Sequence, residues 1–281
     1  MERKVARQVT GYPTTDGAGV HLVRVLGRST VEDFDPFLML DSFDSRNPED
    51  YTAGFPMHPH RGIETVSFLS AGAMTHRDSL GNEDTIGSGE VQWMTAGSGI
   101  LHEEKLPATE RMLGLQLWLN MPAAAKMDRP GYKAIRREEI REIPLEGGTL
   151  RLLAGTYREY TGHTGDHLPL DYYDILLQPG ASLTLPVAED RTVFVFTLSG
   201  GAVVAGTPVP EKTAVLTTRG DSLSVAAGEE PLELLFFSSR RLDEPVAWGG
   251  PIVMNTDQEL QQAFRELRDG GFLREKLTYE E

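Results

Sequence analysis

The sequence predicts an all-β protein made of two similar β domains and ending in a short helix. Three observations predict it. Short β-branched and aromatic runs recur along the chain, 29 glycines and 17 prolines punctuate its 281 residues, and one nine-residue stretch recurs loosely in the second half. Many short strands with frequent turn signals indicate a sandwich or barrel.

In chain order, the strand-length runs are Glu64–Leu69, Val91–Met94, Leu113–Leu119, Leu150–Ala154, Tyr172–Leu177, Val193–Leu198 and Leu232–Ser238. Their branched and aromatic side chains suit a pleated, half-buried surface. His21 sits in an early strand, Val20–Val25, and is given no function. From Gly114 to Asn120 the pattern alternates: Leu115, Leu117 and Leu119 take one face, while Gln116, Trp118 and Asn120 take the other. Pro122–Met127 reads as a short helical turn between the halves. Near the C-terminus Thr256 and Glu259 have capping-box spacing. Leu260, Phe264 and Leu267 then form one apolar stripe, and Gly270-Gly271 stops the helix.

The recurring stretch is Thr65–Ala73, which resembles Phe194–Ala202 at an offset of 129. A second pairing sets Gly89–Gly97 against Gly220–Gly228 at an offset of 131. We read two domains, residues 1–130 and 131–281, joined near 125–145.

The chain has no cysteine, which excludes disulfides, thiolate zinc sites and cysteine-held iron–sulfur clusters. A net charge of −15 argues against a nucleic-acid or anionic-membrane surface and is a source of solubility. No apolar core follows the charged Met1–Lys4 start, so no signal peptide is expected, and no run approaches membrane-spanning length. The expected location is the cytoplasm.

The strongest chemical signal is a pair of motifs, His58-Pro59-His60 and His102-Glu103-Glu104. Residues i and i+2 of a strand share a face, so His58 projects with His60, and His102 with Glu104. If both strands line one barrel, three imidazoles and a carboxylate converge, a set that can bind a divalent transition metal with positions left open. A lone histidine is usually a surface or satisfied core residue; the glycine framing and the second, distant motif reverse that expectation. Pro59 lacks an N–H, so the first motif belongs at an edge or bulge. Glu64 shares the parity of His58 and His60, and parity alone does not rank it against Glu104. Glu103 points to solvent. His76 is given a structural or surface role. Gln116 either orients a ligand or is a satisfied strand residue. Carrying the four positions through the repeat lands on Val187, Glu189, Glu233 and Leu235, so the second domain is expected to hold no metal. Gly97-Ser98-Gly99 lacks the lysine and helix of a phosphate loop.

These motifs resemble the pirins, a branch of the cupin superfamily. The similarity rests on His58–Val66 and Val91–His102, with further matches at Asp35–Asp41, Gly114–Trp118 and Pro122–Met127. It implies two jelly-roll domains packed face to face, with metal only in the N-terminal one. It also implies the ligands His58, His60, His102 and Glu104, and iron(II) as the metal, with manganese, nickel, copper, cobalt and zinc as alternatives. The implied activity is a dioxygenase using O2 to open flavonols such as quercetin. Glu104 would accept the substrate's proton, and Phe55 and Gln116 would be pocket walls. The alternative is a metal-dependent regulator that binds a protein partner in transcription or metabolism. A metal-free sugar-binding or isomerase cupin is disfavoured, because it leaves three clustered imidazoles without a purpose. A monomer is expected on family grounds.

Overall fold

The strand-length runs of the sequence all fold as strands in the computed structural model, which describes residues 1–275. They assemble into two compact units, each with a seven-stranded and a four-stranded antiparallel sheet. No helix among the described residues is long and apolar enough to cross a membrane.

The units are not contiguous in sequence. The first takes Met1–Tyr12, Val23–Pro36 and Arg137–Arg241; the second takes Pro13–Leu22, Phe37–Arg136 and the chain from Leu242 onward. The compact units therefore divide differently from the expected domains, residues 1–130 and 131–281. The N-terminal strand Val5–Thr10 pairs with Thr213–Thr217, and the C-terminal helix packs with the strand Ile252–Met254. Strand pairing does not follow chain order, and nothing in hydrophobic periodicity reports such an exchange.

In the first unit the seven-stranded sheet runs Val5–Thr10, Thr213–Thr217, Arg191–Ser199, Leu232–Arg240, Leu170–Leu177, Gly148–Ala154, Arg141–Leu145. The four-stranded sheet runs Ser182–Pro186, Ser222–Ala227, Ala202–Val204, Thr207–Val209. Its core holds Leu152, Ile175, Val195, Val215, Leu234 and Phe236, all buried.

In the other seven-stranded sheet, most of which belongs to the second unit, the order is Gly131–Ile135, Val91–Thr95, Ile63–Ala71, Met112–Asn120, Phe37–Ser45, Val20–Leu26, Tyr12–Asp16. The four-stranded sheet is Phe55–His60, Ile100–Lys105, Met74–Asp78, Glu83–Ile86. Val20, Phe43, Leu69, Met74, Ile86 and Met112 form a buried cluster in this unit.

The two sheet orders confirm the internal repeat but correct its register. Ile63–Ala71 and Arg191–Ser199 occupy equivalent places, an offset of 128 between their first residues. The strand equivalent to Ile100–Lys105 is Ser222–Ala227, an offset of 122, because the hairpin Ala202–Val209 is shorter than Met74–Ile86. Val187, Glu189, Glu233 and Leu235 are therefore not the counterparts of the histidine motifs. The true counterparts are the strands Ser182–Pro186 and Ser222–Ala227, and neither contains a histidine.

The C-terminal helix spans Asp257–Asp269, with the Thr256–Glu259 capping box closed in both directions and Gly270 at φ +81° as its cap. Of the expected stripe, Leu260 and Leu267 pack against Ile252, Met254 and Phe272, and Ala263 is fully buried. Phe264 stays 40% exposed, and its ring edge lies over the Gly249 backbone.

Candidate metal centre

Strand register brings the histidines together. Phe55–His60 is an edge strand of its sheet, where Pro59 leaves no ladder bond unmade. It pairs with Ile100–Lys105 so that His58 lies directly opposite His102 and His60 opposite Ile100. The ring centroids are 4.8 Å apart for His58–His60, 4.4 Å for His58–His102 and 5.0 Å for His60–His102. One ring nitrogen from each lies within 4.8 Å of the others.

Each imidazole has its Nδ1 occupied. His58 donates from Nδ1 to the carbonyl of Pro56 at 2.8 Å, and His60 donates to that of Pro251 at 2.9 Å. His102 Nδ1 lies 3.4 Å from Nδ1 of His76. Tautomers are assigned from such partners, and the two carbonyls place the free lone pair on Nε2 in His58 and His60. His58 Nε2 and His60 Nε2 then face each other at 3.0 Å. That is about the separation of two nitrogens bound at roughly 2.1 Å and a right angle to one ion. His102 Nε2 is buried and has no hydrogen-bond partner among the described residues. A buried polar atom left unpaired is costly, and a metal ion is a partner for which such an atom is suited. The residues present thus fit a divalent cation.

Burial, and next to it the charge of His58, pushes the His60 imidazole down to about 3. Burial likewise holds His102 well below its ordinary value, with the neighbouring histidines adding to it. Both rings are therefore neutral at physiological pH.

Glu104 is two residues beyond His102 and buried, and its carboxylate, which is not among the three grouped nitrogens, accepts from two amides. Gln92 Nε2 donates to Oε1 at 2.5 Å, and Gln116 Nε2 reaches Oε1 at 3.0 Å and Oε2 at 2.9 Å. Gln116 also donates to the Ser67 hydroxyl and accepts from the Trp118 indole at 3.3 Å. It thus orients a candidate site carboxylate, one of the two roles its sequence position allowed. Phe55 lies opposite Glu104 in the ladder, yet its ring packs edge-on to Phe43 beside the hydrophobic cluster of the second unit. Glu64 accepts from the Thr95 hydroxyl at 2.7 Å in the other sheet. The strand breaks at Arg61-Gly62, so face parity does not carry from His60 to Glu64. Gly62 sits there at φ +76°, where an added Cβ would come within 2.0 Å of the Val253 carbonyl oxygen. Glu103 is on the opposite face, between Arg77 and Lys105.

Two contributors, Gln92 and the Pro251 carbonyl, were missed in the sequence. His76, expected in a structural or surface role, is fully buried, and it bonds Asp78 as well as approaching His102. Its signal was present, because His76-Arg77-Asp78 repeats the i, i+2 spacing of the other two motifs. Gln92 was visible only as one polar residue in an apolar run. The Pro251 carbonyl carried no signal at all, since it is a main-chain acceptor that meets the His60 side chain across 191 positions. Trp118 presents its ring edge-on to His60 at 5.0 Å, and Trp248 lies 5.8 Å from Trp118.

A family model described as Pirin matches residues 19–119, and one described as Pirin C-terminal cupin domain matches residues 172–273. A pirin-like protein of Caulobacter vibrioides is 41% identical over 275 residues, a match spanning 96% of this chain and 99% of that protein. The pirin of Homo sapiens is 37% identical, with 98% of this chain and 96% of that protein covered. A crystal structure of quercetin 2,3-dioxygenase from Acinetobacter baumannii superposes with a TM-score of 0.90 at 33% identity, covering 97% of this chain and 99% of that one.

Proposed function

We propose that this chain, which belongs to the pirin family, is an iron(II)-dependent dioxygenase that opens flavonols such as quercetin. The observation that carries the reading is the orientation of the three imidazoles: each Nδ1 is engaged, and Nε2 of His102 is buried and unpartnered. The similarity to a structure described as a quercetin 2,3-dioxygenase supports the choice of substrate class.

His58, His60 and His102 would hold the metal as neutral nitrogen ligands, with Glu104 a fourth candidate. When bound, the ion supplies Lewis-acid activation of the adjacent hydroxyl and keto oxygens of a flavonol and a seat for dioxygen. The protein's own part is positional and acid–base. The Pro56 and Pro251 carbonyls fix the His58 and His60 rings by holding their Nδ1 protons. Glu104 is the buried carboxylate nearest in sequence to a ligand, and it is the group we assign to accept the flavonol hydroxyl proton. Gln92 and Gln116 hold that carboxylate in place until it does so. Trp118, 7% exposed and edge-on to His60, contributes an apolar wall that keeps water from this side of the imidazoles.

The test is oxygen uptake and flavonol bleaching by iron-reconstituted protein, with His60→Ala as control. Bleaching by the native protein alone, with ring opening, supports the reading. Native protein that binds iron stoichiometrically and consumes no oxygen with any flavonol overturns it.

A further inference from the structure

The inner face of the four-stranded sheet carries a third pair beside the two motifs already described. Met74–Asp78 is hydrogen-bonded to Ile100–Lys105 with Asp78 opposite His102 and His76 opposite Glu104. His76, Asp78 and His102 are all fully buried. His76 Nε2 lies 2.8 Å from Asp78 Oδ2, and His76 Nδ1 lies 3.4 Å from His102 Nδ1. Tyr132 stacks on the His76 ring at 4.2 Å and 13°, which fixes its plane. We propose that Asp78 and His76 form a positioning relay that sets the tautomer of His102 and aims its Nε2 lone pair at the metal site. This rests on the reading that the three histidines hold a metal.

The argument follows the protons. Asp78 is acceptor-only as a carboxylate, so His76 must carry its proton on Nε2. His76 Nδ1 is then an acceptor. The facing His102 Nδ1 must be the donor, which leaves His102 Nε2 free of hydrogen. The first link is secured by further bonds to Asp78. Leu80 N–H and Asn82 N–H donate to Oδ1 at 2.9 and 3.1 Å, and the Asn82 amide donates to Oδ2 at 2.9 Å. The other two rings rest on backbone carbonyls. Only His102 depends on side chains for its tautomer, so only its tautomer can be reversed by substitution.

Asp78→Asn performs that reversal. The two backbone N–H groups keep an oxygen at the Oδ1 position and the Asn82 amide turns over to accept, so the new NH2 falls where Oδ2 was and faces His76 as a donor. His76 must then accept on Nε2 and carry its proton on Nδ1. His102 accepts on Nδ1 and carries its proton on Nε2, in the metal position. Each ring keeps one proton throughout; only the site changes.

The experiment uses the full-length metal-free protein with 15N-labelled histidine, read by two-bond 15N–1H correlation, and then cobalt(II) alone as the binding probe. The wild type should show His76 as the Nε2–H and His102 as the Nδ1–H tautomer. Asp78→Asn should invert both and weaken cobalt binding by about 10- to 100-fold. His76→Phe, which preserves the ring against Tyr132, should leave the fold unchanged and weaken cobalt binding over the same range. A folded Asp78→Asn protein with unchanged tautomers overturns the relay. So does a folded His76→Phe protein whose cobalt affinity stays within about threefold of wild type, which decides the matter if Asp78→Asn does not fold. The tautomers are read without metal, oxygen or substrate, so failure of the dioxygenase reading leaves this result standing.

Discussion

The carboxylate of Glu104 is held by the amide of Gln116, whose Nε2 lies 3.0 Å from Oε1 and 2.9 Å from Oε2. With Gln92 on Oε1 as well, a buried acid is supported entirely by uncharged donors. Hydrogen bonds to a charged group are worth roughly 1.5–3 kcal/mol, and a buried carboxylate that loses one also faces its desolvation penalty. Gln116→Met, close in volume, should therefore lower stability by about 2 kcal/mol, read as a shift in the urea midpoint at constant slope. It should also reduce flavonol turnover, because the proton acceptor is no longer held in place. An unchanged midpoint would mean that Gln92 alone satisfies Glu104.

Metal addition gives a prediction independent of turnover. A ligand that binds only the folded state adds stability as RT ln(1 + [L]/Kd), about 2.7 kcal/mol at a hundredfold excess over Kd. Cobalt(II) or iron(II) under anaerobic conditions should raise the thermal midpoint of the wild type, and a chelator should reverse it. His60→Ala removes one of the three imidazoles and should abolish the shift. A metal-induced rise that persists in His60→Ala would place the ion elsewhere on this acidic chain.

Lys126 ties three parts of the second unit together. It is buried, and its ammonium donates to Gly62 O at 2.8 Å, Asn120 Oδ1 at 2.6 Å and Val253 O at 3.1 Å. The first acceptor follows the His58–His60 strand, and the last lies two residues beyond Pro251, whose carbonyl holds His60. Lys126→Met leaves three buried acceptors without that donor, and each unsatisfied group costs about 1–3 kcal/mol before relaxation. The expected loss is several kcal/mol in chemical denaturation, together with weaker metal binding, because the backbone near Pro251 is released. A variant with wild-type stability would show that water replaces the ammonium.

Much of this architecture was legible in the sequence, because local rules govern it. Strand runs, the Thr256 capping box, the Gly270 stop and the edge position of Pro59 all depend on neighbouring residues. The shared face of His58 and His60 was also legible, because side-chain alternation is a property of any strand. What escaped was non-local. Glu64 looked like a ligand only while the chain was read as one uninterrupted strand, and the break at Gly62 carries it into the other sheet. The repeat is legible but its register slips, because local similarity gives offsets of 129 and then 131, whereas the shorter second hairpin lowers the offset from 128 to 122. The division of the units escaped for the same reason that the Pro251 carbonyl did: backbone pairing across a hundred or more residues leaves no trace in local composition.

Arg61 follows His60 directly and is only 2% exposed, so its guanidinium must find partners. It donates to Ser98 O at 2.7 Å, Phe272 O at 2.8 Å and Glu266 Oε2 at 2.7 Å, and it lies over the Phe272 ring at 4.2 Å. The Gln262 hydrogen bond first, and then those from Arg61, hold the Glu266 carboxyl below its usual range against the opposing effect of burial. The sign follows from linkage. A carboxyl with a depressed folded-state value binds protons more weakly folded than unfolded, so its stabilisation is complete above about 4.5 and is lost as pH falls through the folded value. Glu266→Gln should therefore destabilise the protein at pH 7, and the gap from wild type should close as pH is lowered below about 4.5. The measurement is urea unfolding of both proteins from pH 7 to pH 3.5. A gap that stays constant across that range would show that Gln262, Ser98 and Phe272, rather than the charge of Glu266, hold the helix against Arg61.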